Sequence, residues 1–416
     1  MEIITLTAKT TLLSGTFILP ASKSESNRAL ILRALAMKQR THYFSEKMLS
    51  NLSEANDTIV LRAILNEPFR KEWNVQDIGT ACRFLTAFGA VTGYKVRITG
   101  AERMKQRPIA PLVTALRAIG FEIEYLEKEG FVPIALNGKP FAQKTNKIEI
   151  ASNISSQFIS ALLMVAPLLP QGLEIVFSGK QILSLPYIEM TLAMMKCFCI
   201  DSEKTETGYK IAPQLYCMPL YSVESDWSAA SYAYSFAALS EKASIFLPKL
   251  RKDTLQGDAQ IAEFMQLWGV ETTFTQKGVR IKKTKSKIPE PQLIDCSPCP
   301  DLAQTLIVLA AATGANLTFT GLESLRIKET DRIVALQTEL LRFQITLAER
   351  EKSVFGLEGT FSPSFSPVQT YKDHRMSMAF APLVLKQNTL SIQNPSVVKK
   401  SFPAFWEVIG QWTAQE

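Results

Sequence analysis

The chain has 416 residues, 46% hydrophobic and 20% charged, with a net charge of +7 and a mean hydropathy near zero. That length exceeds one ordinary domain and predicts two or three, while the composition excludes disordered, fibrous and membrane-embedded classes. The positive excess is modest, and its one dense run is Arg280-Ile-Lys-Lys-Thr-Lys-Ser-Lys287, expected to be a solvated hairpin end; this excludes a chain that coats nucleic acid and suits a small acidic substrate.

The opening EIITLTAKTTLLSGTFIL reads as two strands about a Ser14-Gly15 turn. It lacks the charged stretch and apolar core of a signal peptide, and no apolar run reaches membrane-span length. A cytoplasmic location is therefore expected, with Cys82 and Cys197 packed as small hydrophobes inside helical runs. From here a polar or glycine opening followed by a small-residue apolar stretch recurs six times, at Ser24, Gly79, Ser155, Asp226, Asp301 and Asp373. Ser, Asp and Gly suit helix starts, and runs that are apolar nearly all round predict buried helices. The last five openings are spaced by 76, 71, 75 and 72 residues, and only the first interval, 55, is short.

Each buried helix is followed by an amphipathic one, beginning near Asp57, Pro111, Tyr187, Gly257, Glu329 and Phe402. Four of these lead into β-hairpins, at 121–136, 199–212, 270–283 and 345–359. After the Asp57 helix, NEPFRKEWNVQ leaves no room for one, which accounts for the short interval. The last repeat is expected to end on its helix, its missing hairpin supplied by the first 19 residues. The prediction is an α/β chain of two pseudo-threefold domains, each of three β-α-β-α-β-β units, with the first unit lacking a hairpin. One domain takes 1–20 with 225–416, the other is 21–224, and crossings near Pro20 and Ser225 form a hinge beside an active-site cleft.

Anion-binding and reactive side chains gather at the helix starts. Lys23, between Ser22 and Ser24, places a cation at a helix N-terminus, which is unfavourable unless an anion is also present. Gly79 lets a ligand approach the backbone, and Thr80 adds a hydroxyl. In Arg103-Met-Lys105-Gln-Arg107-Pro108, the proline holds Arg107 ready for bidentate contact with carboxylate or phosphate. Ser155-Ser156-Gln157, with Ser184 and Tyr187 downstream, can hold a phosphate or simply cap a helix. Asp301 opens the fifth helix, and Arg326-Ile-Lys328-Glu329-Thr-Asp331-Arg332 packs two acids among three bases. Glu329 and Arg332 can form an i,i+3 ion pair, and a Lys–Glu pair beside a second carboxylate also suits proton transfer. Lys23, Arg107, Lys328, Arg332, Arg375 and Lys400 recur at equivalent places, which predicts one convergent anion site. Cys296-Ser-Pro-Cys299 has no second pair, and two histidines offer no metal set.

The motifs LPASKSESNRAL, GTACRFLTA, RMKQRPI, SLPYI, PDLAQT, RIKETDR, DHRMSMA and KKSFPAF resemble, in order and spacing, those of the EPSP synthase family of enolpyruvyl transferases. KETDR and DHRM are the most specific. The resemblance implies inside-out α/β barrels and transfer of the enolpyruvyl group of phosphoenolpyruvate to the 5-hydroxyl of shikimate 3-phosphate. It further implies no cofactor and no metal, and a monomer that binds neither nucleic acid nor membrane. By resemblance, Lys23, Ser24, Arg28, Ser155, Ser156, Gln157, Ser184, Tyr187, Asp301, Ser324 and Lys328 hold shikimate 3-phosphate. Lys23, Gly79, Thr80, Arg107, Gln157, Arg332, Arg375 and Lys400 hold phosphoenolpyruvate, and Asp301, Glu329 and Lys23 are catalytic.

This chain also departs from the family pattern. Asp77 stands where asparagine is common and is expected to repel phosphoenolpyruvate unless Arg83 or Arg107 pairs with it. Phe84 replaces a common proline, Ile78 a small residue, and Ser324 a common asparagine. The sister transferase acting on UDP-N-acetylglucosamine usually carries Lys-Asn at the first motif and a cysteine before the Arg-Pro, whereas here the pair is Lys23-Ser24 and no cysteine lies between Cys82 and Pro108. An RNA 3′-phosphate cyclase-like protein would want a nucleophilic histidine, for which only His374 is available. A non-catalytic phosphate sensor has no use for Asp301 and Glu329.

Overall fold

Parallel strands need a crossover connection, and a buried helix supplies it in three of the sheets. The computed structural model describes residues 2–39, 48–179 and 182–416. The chain divides into two units, Lys23–Val223, and Met1–Ser22 with Glu224–Glu416.

In the unit Lys23–Val223, the strands Glu72–Asn74, Lys95–Thr99, Ile134–Asn137 and Ile123–Tyr125 lie in that order, the first pair parallel and the others antiparallel. The buried helix Gly79–Thr92 joins the parallel pair, and Ala110–Ile119 leads to the hairpin. Lys147–Ala151, Leu173–Ser178, Gly208–Ile211 and Glu203–Lys204 repeat this order with helices Ser156–Val165 and Leu185–Cys197. Among the described residues, the remaining sheet is Leu49–Ser50 in parallel with Tyr221–Ser222. Helix Asn56–Asn66 runs straight on toward Glu72–Asn74, without a hairpin, as the short interval predicts.

The other unit follows the same plan. Gln292–Asp295, Leu317–Thr320, Val354–Gly359 and Ile345–Glu351 form one sheet, served by helices Ala303–Thr313 and Arg332–Leu341. A second contains Leu12–Thr16, Lys242–Pro248, Gly278–Lys283 and Val270–Thr275, served by Trp227–Leu239 and the helical run 257–268. In the third, Ile3–Ala8 lies between Thr389–Gln393 and Thr413–Gln415, with helix His374–Phe380 preceding Thr389–Gln393 in the chain. The buried helices earn their composition: every residue of Ala303–Thr313 except Thr313 is buried.

Two expectations are corrected here. The first two strands do not pair with each other. Ile3–Ala8 joins one sheet and Leu12–Thr16 joins another, in parallel with Lys242–Pro248. The turn falls at Thr10, whose hydroxyl accepts from Leu12 N at 3.0 Å, while Ser14 and Gly15 lie within a strand. Nor does the last repeat stop at its helix Phe405–Ile409, because the chain goes on to the strand Thr413–Gln415. The crossings also exchange partners. Leu12–Thr16 precedes the Lys23 helix in the chain but lies beside Lys242–Pro248, and Tyr221–Ser222 precedes the Trp227 helix but pairs with Leu49–Ser50.

The basic run is not wholly solvated. Arg280, Lys282, Lys285 and Lys287 are exposed, but Lys283 is buried. Its Nζ donates to Ala238 O and Ser240 O at 2.5 and 2.6 Å, closing the C-terminus of helix Trp227–Leu239, where a cation is favoured. Lys283→Met strands two carbonyls and is expected to lower unfolding free energy by about 1.5–3 kcal/mol, measured by urea denaturation. Cys82 is a buried thiol, as expected, but Cys197 is exposed at the end of its helix, and Cys199 and Cys217 form a disulfide.

Candidate functional site

In the unit Lys23–Val223, Lys23 opens its helix with Nζ 3.0 Å from the buried carboxylate of Asp57. Asp57 lies in the first turn of Asn56–Asn66, where the helix dipole favours an anion. The turn that carries it is fastened to the Lys23 helix. Ser26 Oγ accepts from Ser53 N at 2.9 Å, and Asn27 Oδ1 accepts from Thr58 Oγ1 at 2.8 Å. Asn27 Nδ2 then donates to Thr80 Oγ1 at 2.9 Å, tying the start of helix Gly79–Thr92 to the same face.

Arg28 is buried, donating from Nε to Thr191 Oγ1 at 2.7 Å, from Nη1 to Ser24 O at 2.9 Å and from Nη2 to Tyr187 O at 3.2 Å. The rings of Phe84 and Tyr187 flank it with centroids 5.5 and 5.9 Å away, a favourable cation–π setting. Phe84, which departs from the family pattern, therefore has a packing role. Burial pushes Arg28 down to about 10, which leaves it charged at neutral pH. Ser155 caps Ser156–Val165 by accepting from Gln157 N, Ser156 is buried, and Ser184 takes a left-handed conformation before Leu185–Cys197.

Arg107 Nη1 donates to the main-chain oxygen of Asp77 at 3.0 Å, so these two residues meet through the backbone. Arg107 Nε is buried with no hydrogen-bond partner. Arg83 donates from Nη2 to Pro108 O at 2.7 Å and from Nη1 to Gly79 O at 3.2 Å, fixing the Arg107 loop against the helix start. A Cβ at Gly79 would lie 2.6 Å from Arg107 Nη2 and 2.9 Å from Arg83 Nη1. Gly79→Ala must therefore displace the guanidinium, and is expected to lower unfolding free energy by about 1–3 kcal/mol, measured by urea denaturation.

In the other unit, Arg332 is 2% exposed and joins three carboxylates. Nε meets Asp373 Oδ2 at 2.7 Å, Nη1 meets Asp301 Oδ1 at 3.2 Å, and Nη2 meets Glu329 Oε2 at 2.9 Å. Burial works against its charge, but Asp373, Glu329 and Asp301 outweigh that and raise Arg332 above the ordinary arginine value. Arg375 donates to Asp301 Oδ2 at 2.7 Å and to Asp301 O at 3.1 Å. Lys328 stands 3.9 Å from Asp301 Oδ1, and Lys400 stands 3.7 Å from Glu329 Oε1. Among themselves, these four cations and three carboxylates sum to +1. Removing one partner of a buried ion pair costs roughly 3–5 kcal/mol, so such a network holds its geometry firmly. Behind it, burial and the nearby Asp301 push the Asp258 carboxyl up to about 7.

Two local expectations are corrected. Asp301 does not cap its helix, which begins at Ala303 with no side-chain cap; the arginines hold its carboxylate instead. The amphipathic helix begins at Arg332, with Asp331 as the capping residue, so Glu329 lies before it. Ser324 sits in the turn Glu323–Ile327, half-buried. Of the predicted residues, Asp301, Lys328, Glu329, Arg332, Arg375 and Lys400 form one ion-paired cluster. Gly79 meets Arg107 in the other unit, where Arg28 also meets Ser24 and Tyr187. Asp57, Asn27, Arg83, Asp258 and Asp373 were not among them. Asp57 and Asp373 carry a sequence signal, an acid at a helix start, but the same signal marks ordinary caps. Cys296 and Cys299 are buried thiols. Burial pushes Cys296 up to about 12 and Cys299 higher still, opposite to what thiolate chemistry needs.

A sequence profile described as EPSP synthase (3-phosphoshikimate 1-carboxyvinyltransferase) matches residues 7–409. A 3-phosphoshikimate 1-carboxyvinyltransferase of Bacteroides fragilis (strain YCH46) is 43% identical over 400 residues, covering 95% of this chain and 94% of its own length. One from Haemophilus influenzae (strain PittEE) is 33% identical and covers 98% of both chains. In Lodderomyces elongisporus, the pentafunctional AROM polypeptide 2 is 35% identical over 94% of this chain, which corresponds to 27% of that longer protein. A crystal structure of EPSP synthase from Acinetobacter baumannii matches in fold over 100% of both chains, with TM-score 0.75 at 18% identity.

Proposed function

This chain belongs to the EPSP synthase family, and from that premise we propose how its residues divide the work of one reaction. It is a transferase that moves the enolpyruvyl group of phosphoenolpyruvate onto the 5-hydroxyl of shikimate 3-phosphate, a step of aromatic amino-acid biosynthesis. Phosphoenolpyruvate has an electron-rich C3 and becomes electrophilic at C2 only when C3 takes a proton. Glu329 with Lys23 supplies that proton. Asp301 accepts the proton of the 5-hydroxyl as its oxygen bonds to C2, giving a tetrahedral intermediate. A C3 proton then returns to the enzyme as the C2–O bond to phosphate breaks, and the phosphate leaves with the proton that Asp301 had taken, which leaves the new enol ether.

The observation that carries this division is the pairing of Asp301 with Arg332 and Arg375, and of Glu329 with Arg332 and Lys400. Two acids lie directly against the cations assigned to phosphoenolpyruvate, so proton transfer and anion binding share neighbours. Arg107 adds a buried guanidinium with an unpaired Nε, and with Lys23, Gly79, Thr80 and Gln157 it serves the same substrate. Ser24, Arg28, Ser155, Ser156, Ser184, Tyr187, Ser324 and Lys328 serve shikimate 3-phosphate. In this reading each unit is an inside-out α/β barrel of three β-α-β-α-β-β modules, the first module in Lys23–Val223 lacking its hairpin. We infer a cytoplasmic monomer, and the reaction balances with acids, bases and cations alone. Phosphate release from phosphoenolpyruvate, measured with shikimate 3-phosphate, with UDP-N-acetylglucosamine and with no acceptor, tests the reading. Release only with the sugar nucleotide would overturn it.

A further inference from the structure

Helix Arg332–Leu341 grips a second segment of chain along its whole length. Arg332, Glu339 and the C-cap residue Arg342 lie on one face, seven and three residues apart. Arg342 Nη1 donates to Pro367 O at 3.0 Å. The buried Glu339 carboxylate accepts from Gln369 N at 3.1 Å and from Tyr371 Oη at 2.7 Å. Arg332 Nε then holds Asp373 at 2.7 Å. The gripped segment contains two successive left-handed residues, Tyr371 with φ 53° and Lys372 with φ 59°. Side chains disfavour that conformation, which persists only where its surroundings enforce it. The turn closes with Asp373 N donating to Thr370 O at 2.8 Å, and Asp373 in turn caps the helix that presents Arg375.

We propose that Glu339 is a positioning residue for anion binding: through Gln369 and Tyr371 it holds the strained turn that aims Arg375 and Asp373 at their partners. Glu339 lies two helical turns from Arg332 and touches none of the acids or cations assigned to the chemistry. Its own counter-charge is Arg342, with Nε 3.4 Å away. Burial and the Glu339 bond push the Tyr371 hydroxyl up to about 12, so it stays a donor across the neutral range. The role of Arg375 toward phosphoenolpyruvate rests on the functional reading above.

The test compares Glu339→Gln and Tyr371→Phe with wild type in both KM values and in thermal midpoint. Release of the turn should raise the KM for phosphoenolpyruvate about tenfold in Glu339→Gln and about threefold in Tyr371→Phe, with the KM for shikimate 3-phosphate within about twofold. A packing role alone would lower the midpoint and the active fraction but leave both KM values unchanged, and that result overturns the proposal. Should Glu339→Gln not fold, Tyr371→Phe decides by itself, since it removes one hydroxyl. Should wild type show no turnover with these substrates, the functional reading fails separately. The proposal is then read from thermal-shift titration with inorganic phosphate, where each variant should need severalfold more phosphate than wild type, and equal requirements count against it.

Discussion

Glu329→Gln lowers turnover about 100-fold or more while shikimate 3-phosphate binds nearly as in wild type. The substitution keeps the shape of the side chain and one carbonyl acceptor for Arg332, now 2.9 Å away. It removes the carboxyl proposed to carry the proton and the charge facing Lys400 at 3.7 Å. Arg332 keeps Asp301 and Asp373, so the buried guanidinium is not stranded and the fold survives. The loss therefore falls on kcat, as expected for an interaction made when C3 gains or loses its proton. Steady-state kinetics give the rate, and calorimetric titration with shikimate 3-phosphate gives the binding constant. Turnover close to wild type would remove Glu329 from the mechanism.

Asp301→Asn has a comparable or larger effect, with turnover falling on the order of 10²–10⁴-fold. Asp301 faces three cations, Arg332, Arg375 and Lys328. The amide retains an acceptor for one arginine but cannot take the hydroxyl proton. Its loss also raises the cluster charge from +1 to +2, because four cations then face two carboxylates. Excess positive charge holds anions more strongly, so the KM for phosphoenolpyruvate should stay level or fall while kcat collapses. This split separates a lost base from a damaged binding site, in which KM would climb. A variant that keeps more than about a tenth of wild-type turnover would move the base to another group.

The local grammar of this fold was legible where a side chain acts on its own neighbours. Ser155, Asp226 and Asp373 cap helices by accepting from Gln157 N, Ala229 N and Arg375 N. Asp301 has the same sequence appearance but pairs with arginines 31 and 74 residues away. Nothing local distinguishes a capping aspartate from one held by distant cations. Lys283 was likewise hidden within a basic run, because its burial depends on where the end of helix Trp227–Leu239 lies. The exchange of Leu12–Thr16 and Tyr221–Ser222 at the crossings was beyond reach for a similar reason. Strand periodicity tells that a segment is a strand, but its partner is chosen by topology. Lys23 was more accessible, because a cation at a helix start is unfavourable without an anion, and Asp57 supplies one at 3.0 Å.

The central place of Ile3–Ala8 between Thr389–Gln393 and Thr413–Gln415 bears on how the molecule comes into being on the ribosome. This strand is made before both its neighbours, with the whole of Lys23–Val223 in between. At roughly 5–20 residues per second, it waits tens of seconds for partners. Meanwhile Lys23–Val223 emerges as one continuous stretch and can collapse while synthesis goes on. An early, unpartnered strand edge is exposed to wrong pairing for that whole interval. The alternation of IITLTA is kept short, with Lys9 immediately after it, a sequence suited to waiting in solution until its sheet exists.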